Sequence, residues 1–332
     1  MKQIRILCVM LTAAFAPVLR AADLYSTDFE TFPVGDNLWA GTEGWLSNDT
    51  TSGAQGILED FVAELPLGKT AYLGFESPAS TLTQITRLVN YDPVVGGFPC
   101  VEFDSFLGVQ NSTNGRRDQF FISFYDISGT FLAAIVFDNR NSSAEVLRWE
   151  AQTDGSVQSS PTGVPFARGD QVLGFIALQI LFTRIDLQNN SWSAYLDGIP
   201  LFIDAPFTAS AFAPLSLGSV AAEWEVAGAQ PSDAGNNWLF VADWYVRSAP
   251  RDTGPPKIST ISRNPAGKPV ITWHGEAGFD YQIEYSQDLE NWLTDLPDST
   301  FPGIMASGPL EFRDTSAAPS ARYYRVRRSI TP

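Results

Sequence analysis

The 332-residue sequence predicts an all-β protein built from two β-sandwiches, and three observations carry that expectation. Short runs rich in Phe, Ile, Val and Tyr recur along the chain, cut by clusters of Gly, Asn, Asp, Ser and Pro. Few stretches hold the longer period of an amphipathic helix. Two prolines in Asp252-Thr-Gly-Pro-Pro256 remove backbone donors and hold the chain extended, so no sheet continues through them. They divide a unit over 23–249 from one over 257–332, with 250–256 as the linker.

Ahead of both units, residues 1–22 read as a secretory signal peptide. Lys2 and Arg5 precede an apolar run over 6–16, and 17–22 ends in small residues. The run is about half the ~20 residues of a membrane span, so cleavage near Ala21 and a secreted or cell-surface location are expected. No later segment approaches a span. Export removes Cys8 and leaves Cys100 alone, which excludes an intramolecular disulfide. Cys100 sits in Phe98-Pro-Cys-Val-Glu-Phe103, a strand-like context that makes it a small core residue.

Without the leader the chain carries 18 basic and 37 acidic residues, a net charge of 18 − 37 = −19. The excess lies in the large unit, with 9 Lys/Arg against 27 Asp/Glu over 22–250; residues 251–332 hold 9 and 10. Such a surface repels phosphate backbones, which argues against nucleic acid as a partner. Cations, neutral glycans and basic surfaces fit it better.

Within the large unit, Phe120-Phe-Ile-Ser-Phe-Tyr125 precedes the turn Asp126-Ile-Ser-Gly129, and Phe131-Leu-Ala-Ala-Ile-Val-Phe137 follows. Glu145-Val-Leu-Arg-Trp-Glu-Ala151 then runs into the turn at Thr153-Asp-Gly155. The stretch 174–182 suits helix or strand by periodicity, and its β-branched content favours a buried strand. In Trp192-Ser-Ala-Tyr-Leu-Asp-Gly-Ile-Pro-Leu201, alternate residues share one face and Asp197-Gly198 supplies a tight hairpin turn.

That W-x-x-Y-x-D-G hairpin, with Thr27-Asp-Phe-Glu-Thr-Phe-Pro-Val-Gly35 and Asn236-Asn-Trp-Leu-Phe-Val-Ala-Asp-Trp-Tyr-Val246, resembles the concanavalin A-like jelly rolls of laminin-G and glucanase type. The resemblance covers roughly 24–248. It implies a sandwich that hosts lectins, hydrolases, lyases and spacers alike. Retaining glucanases of that fold carry three carboxylates on one strand, as E-x-D-x-x-E or E-x-D-x-E. In Val101-Glu-Phe-Asp-Ser-Phe-Leu107, Glu102 and Asp104 match the first two, but Phe106 and Leu107 stand where the acid would be. The two-carboxylate mechanism therefore loses its proton donor. His274, the only histidine, falls in the small unit, so no Ser-His-Asp set forms in the large one.

The same resemblance implies a structural calcium joining first and last strands, with Asp28, Glu30 and Asp243 as candidate ligands. Trp149, Trp224 and Trp238 have polar sequence neighbours and are the candidate sugar-stacking surfaces. Asn139, in Asp138-Asn-Arg-Asn141, joins them as a hydroxyl-bonding candidate.

In the small unit the order I-T-W, Y-x-I-E-Y-S-x-D-L-x-N-W, F-x-D-T and R-Y-Y-R-V, from Ile271 to Val326, resembles a fibronectin-III module. Tyr281, Ile283 and Tyr285 alternate with polar residues, as a half-buried strand does. Together these readings point to a secreted, non-enzymatic binding or adhesion protein whose partner is a polysaccharide or cell-surface glycan. The alternatives are a structural spacer of an extracellular matrix, or a polysaccharide-degrading enzyme with a site unlike the glucanases'.

Overall fold

The computed structural model describes residues 22–50, 52–59, 68–140, 144–152, 154–171, 177–207, 215–251, 258–264, 268–275, 279–287, 291–302, 308–316 and 322–330. Residues 1–21 of the expected leader and the Pro255-Pro256 hinge lie outside them. Contacts divide the chain into a large unit, Ala21–Thr253, and a small one that takes in Gly254–Pro332. No helix among the described residues is long and apolar enough to cross a membrane.

The large unit is a jelly-roll sandwich of two mainly antiparallel sheets. One has seven strands, in the order Val157–Pro165, Glu145–Ala151, Phe131–Asp138, Gln119–Tyr125, Leu217–Glu225, Leu82–Tyr91 and Trp45–Ser47. Its outermost strand, Val157–Pro165, contains Pro161 and Pro165. The facing sheet has eleven strands and is built around Cys100–Gln110. On that strand pair Gln179–Asp186, Leu239–Val241 and Trp244–Ala249, the last of which carries the first strand, Asp23–Thr27.

Alternation decides what goes inside. Phe120, Ile122 and Phe124 point into the core, while Phe121, Ser123 and Tyr125 point away from it. The core is aromatic at one end, where Trp39, Trp45 and Trp244 contact one another edge-on or tilted. Cys100 is in the interior, and burial pushes its thiol up to about 12, so it stays protonated and unreactive. Asp197 and Gly198 both take positive φ, 52° and 76°, and close the hairpin between Ser191–Leu196 and Ile199–Pro206.

Of the strand expected over 174–182, residues 174–176 lie outside the described residues. The described strand starts at Gln179 and runs on to Asp186, in register with Leu107 through Cys100. Its extension past 182 brings Arg184 opposite Glu102, which it meets at 3.3 Å.

The small unit consists of two three-stranded sheets. Ile258–Arg263, Pro269–Gly275 and Gly308–Arg313 form one; Thr300–Phe301, Phe279–Ser286 and Tyr323–Ile330 form the other. Ile271, Trp273, Tyr281, Ile283, Phe312 and Val326 fill the space between them. Glu284 faces the other way and is held by Arg325 and Arg327 at 2.6 and 3.1 Å.

Candidate functional site

The outer face of the seven-stranded sheet is not an ordinary solvated face. Cross-strand register lines up Leu46, Thr86, Ala221, Ser123, Ala134 and Trp149 in one row across six strands. The four central members are small and the two end members are large, so the row is a trough spanning about 24 Å at ~4.8 Å per strand. A parallel row contains Gln84, Glu223, Phe121, Val136 and Leu147.

Tyr125 lies on the opposite side of the trough from Glu223, yet its hydroxyl donates to Glu223 Oε1. The phenol therefore bridges the row over Ser123 and Ala221, both fully buried. Gln84 Nε2 closes the set, donating to Glu223 Oε1 at 2.7 Å and to the Tyr125 hydroxyl at 3.0 Å. Leu46, Leu88, Asn48 and Ser219 complete the walls of a groove of about 400 Å³ around this network.

Glu223 is only 6% exposed. Burial pushes its carboxyl above its ordinary 4.5, while the hydrogen bonds from Tyr125 and Gln84 pull the other way. Burial first, and the neighbouring Glu223 charge second, raise the Tyr125 phenol well above the usual range. At neutral pH the phenol is a hydrogen-bonding group and not a base.

At the other end of the trough Trp149 packs edge-on against Phe121, with ring centroids 5.0 Å apart. The two rings join Phe131, Leu147, Ala134 and Val136 in a second apolar cluster, separate from the core. The Trp149 indole N–H has no hydrogen-bond partner among the described residues. Apolar rings beside fixed hydrogen-bonding groups suit an amphipathic ligand.

Of the other candidates from the sequence, Trp224 and Asn139 are corrected. Glu223 and Glu225 both face outward, so Trp224 between them faces inward; it is 0% exposed and donates its indole N–H to Asp118 at 2.9 Å. Asn139 is also 0% exposed, which removes its side chain from any surface contact with a sugar. Trp238 remains half-buried at the surface but belongs to another region, stacked on Phe75 at 4.7 Å. The three tryptophans thus share no groove.

The calcium ligands do not converge either. Asp28 Oδ1 accepts the Glu30 N–H at 3.1 Å, Glu30 Oε1 accepts the Lys69 N–H at 2.8 Å, and Asp243 Oδ1 accepts the Phe106 N–H. Neighbouring backbone donors already use these carboxylates. Among the described residues no group of three or more His, Cys, Asp or Glu side chains could hold a metal. The Glu102 and Asp104 pair lies on the facing sheet, where Glu102 sits between Arg247 at 2.7 Å and Arg184 at 3.3 Å.

Sequence reasoning missed Gln84, Tyr125 and Glu223. The Glu-Trp-Glu alternation at 223–225 was the available signal for Glu223, since both carboxylates of such a strand share a face. Nothing local marks Gln84, which reaches Glu223 across 139 residues of chain.

No protein-family model matches the chain, and neither does any curated protein. Among solved structures, the carbohydrate recognition domain of Emp47p matches with a TM-score of 0.44 at 10% identity, over 69% of this chain and 97% of that one. A carbohydrate esterase from the Shiga toxin-encoding bacteriophage phi24B gives 0.42 at 12% identity, over 69% and 99%. The carbohydrate-binding module CBM66 from Bacillus subtilis gives 0.34 at 13%, over 64% and 99%. At these identities no residue role passes from them to this chain.

Proposed function

We propose that this chain is an exported, non-enzymatic carbohydrate-binding protein that engages polysaccharide along the trough of its seven-stranded sheet. One observation carries the reading: a row of small residues, closed at one end by Trp149, is crossed by the fixed Gln84–Glu223–Tyr125 network. Sugars present apolar ring faces and hydroxyls together. Trp149, backed by the buried Phe121, supplies the apolar surface, and the network supplies donors and acceptors whose geometry is set before the ligand arrives.

Binding, hydrolysis and a spacer role separate in one set of measurements. Mature protein is tested by pull-down and calorimetry against a panel of insoluble and soluble polysaccharides, with product analysis on the same samples. Saturable binding without cleavage is the expected result, and Trp149→Ala weakens it about 10-fold through loss of ring contact. Cleavage abolished by Glu223→Gln would replace binding with catalysis. No binding across the panel would leave the spacer role.

A further inference from the structure

A second feature lies at the end of the same sheet where Gln119–Tyr125 begins and both Phe131–Asp138 and Leu217–Glu225 finish. There a cleft of about 470 Å³ is lined by Arg116, Arg117, Arg140 and Asp233, with Gly115 and Gly228. Basic residues are scarce in this unit, 9 against 27 acidic ones over 22–250. Three of the nine line one cleft, and a fourth, Arg168, is close enough to Arg117 for the two charges to repel.

The partners of these arginines are uneven. Arg140 Nη2 holds Glu225 Oε2 at 2.6 Å, and Arg116 Nη1 donates to the Ser232 carbonyl at 2.5 Å and lies 3.8 Å from Asp233 Oδ1. Arg117 is half-buried and has no hydrogen bond or ion pair to any described residue. Arg168 donates to the Asn139 carbonyl at 3.2 Å, and burial first, then the Arg117 charge, lower its guanidinium to about 10 against the opposing pull of Asp138. Neighbouring like charges in a partly desolvated place destabilise the free protein and favour binding of an anion.

The walls are fixed in advance. Asp118, fully buried, accepts the Trp224 indole N–H, the Ala227 N–H at 2.8 Å and the Gly235 N–H at 2.9 Å. Asn236 Oδ1 takes the Thr113 and Asn114 N–H groups at 2.7 and 3.1 Å. The loops before Gln119 and after Glu225 are thereby tied together around the arginines. Glu225, which anchors Arg140, lies two residues along the same strand face from Glu223, about 7 Å away. The cleft therefore lies beside the trough, on the same sheet face and two rows farther along the strands.

We propose that the cleft lined by Arg116, Arg117 and Arg140 is an anion subsite that takes a carboxylate or a sulfate ester of an acidic polysaccharide. The polymer part of this assignment rests on the carbohydrate-binding reading above; the anion part rests on the arginines alone. Guanidinium groups pair with planar and tetrahedral oxyanions through two parallel N–H bonds, and Arg117 has its donors unspent.

The test is calorimetry of the mature protein with three oligosaccharides of equal length: an oligogalacturonate, a sulfated galactan fragment and a neutral galactan fragment. At least one acidic probe is expected to bind about 10-fold tighter than the neutral one, with an advantage that shrinks as salt is raised. Arg117→Ala abolishes that advantage at unchanged Tm, and Arg117→Lys keeps part of it. A response confined to the uronate or to the sulfated probe identifies which oxyanion is taken. Equal affinity for acidic and neutral probes, no binding of either acidic probe, or an Arg117→Ala protein that still prefers the acidic one, overturns the subsite. Trp149→Ala separates the two readings. If it spares acidic binding that Arg117→Ala removes, the trough fails and the subsite stands; if only Trp149→Ala matters, the reverse holds.

Discussion

The outer faces of the large sandwich hold nearly buried carboxylates, and two of them, Glu102 and Glu223, are satisfied in opposite ways. On the eleven-stranded sheet, Glu102 is clamped by Arg184 and Arg247. On the seven-stranded sheet, Glu223 is held by the neutral donors of Tyr125 and Gln84. A carboxylate between two guanidiniums has its charge cancelled locally and no demand left for a ligand. A carboxylate desolvated among neutral donors keeps that demand, and perturbed groups of this kind cluster at functional sites. The contrast teaches that burial of an acid on a sheet face marks a site only when its partners leave the charge uncompensated.

The sharpest way to break the comparison is at the clamp. Glu102→Ala leaves Arg184 without its counter-charge in a mostly buried position and is expected to cost about 3 kcal/mol in urea denaturation, the low end for a broken pair because Arg247 is half-exposed. Carbohydrate affinity should not move. A loss of binding in a variant that still folds would show that the clamped face takes part in recognition.

A smaller effect is expected at the bridge. Tyr125→Phe removes the hydroxyl that spans the trough, at a cost of about 1 kcal/mol in stability and a several-fold drop in polysaccharide affinity by calorimetry. Full affinity in the phenylalanine variant would reduce Tyr125 to packing.

The gentlest probe is proton linkage. Because the folded-state carboxyl of Glu223 is raised above 4.5, the native protein binds its proton more tightly than the unfolded chain does. Its contribution is then complete below about pH 4.5 and declines as pH rises through the folded value. Asp118, Asp104, Glu150 and Asp243 are shifted in the same direction. The difference between wild type and Glu223→Gln isolates the one group: Tm against pH should fall less steeply above 4.5 in the variant. Parallel curves would mean that the carboxyl is solvated.

Much of the fold was legible in the sequence, because period-2 alternation and turn chemistry are local. The Asp197-Gly198 hairpin and the strand over Phe120–Tyr125 with its following turn follow from residues a few positions apart. The site was less legible, and two tripeptides show why. In Glu223-Trp-Glu225 the carboxylates face out and the indole enters the core. In Arg148-Trp-Glu150 the charged pair turns in, where Glu150 accepts the Trp192 N–H at 3.1 Å and Arg148 lies 5.1 Å over the Phe202 ring, so the indole faces out. Alternation says that neighbours oppose one another. Which side becomes the interior depends on register with strands far away in the chain, and so does the meeting of Gln84 with Glu223.

The outermost strand of the seven-stranded sheet bears on how copies of this molecule could assemble. Pro161 and Pro165 have no N–H to offer along Val157–Pro165, so an incoming strand finds an interrupted ladder there. Edge-to-edge addition along that strand is disfavoured, so ordered stacking of copies would have to use another face of the molecule.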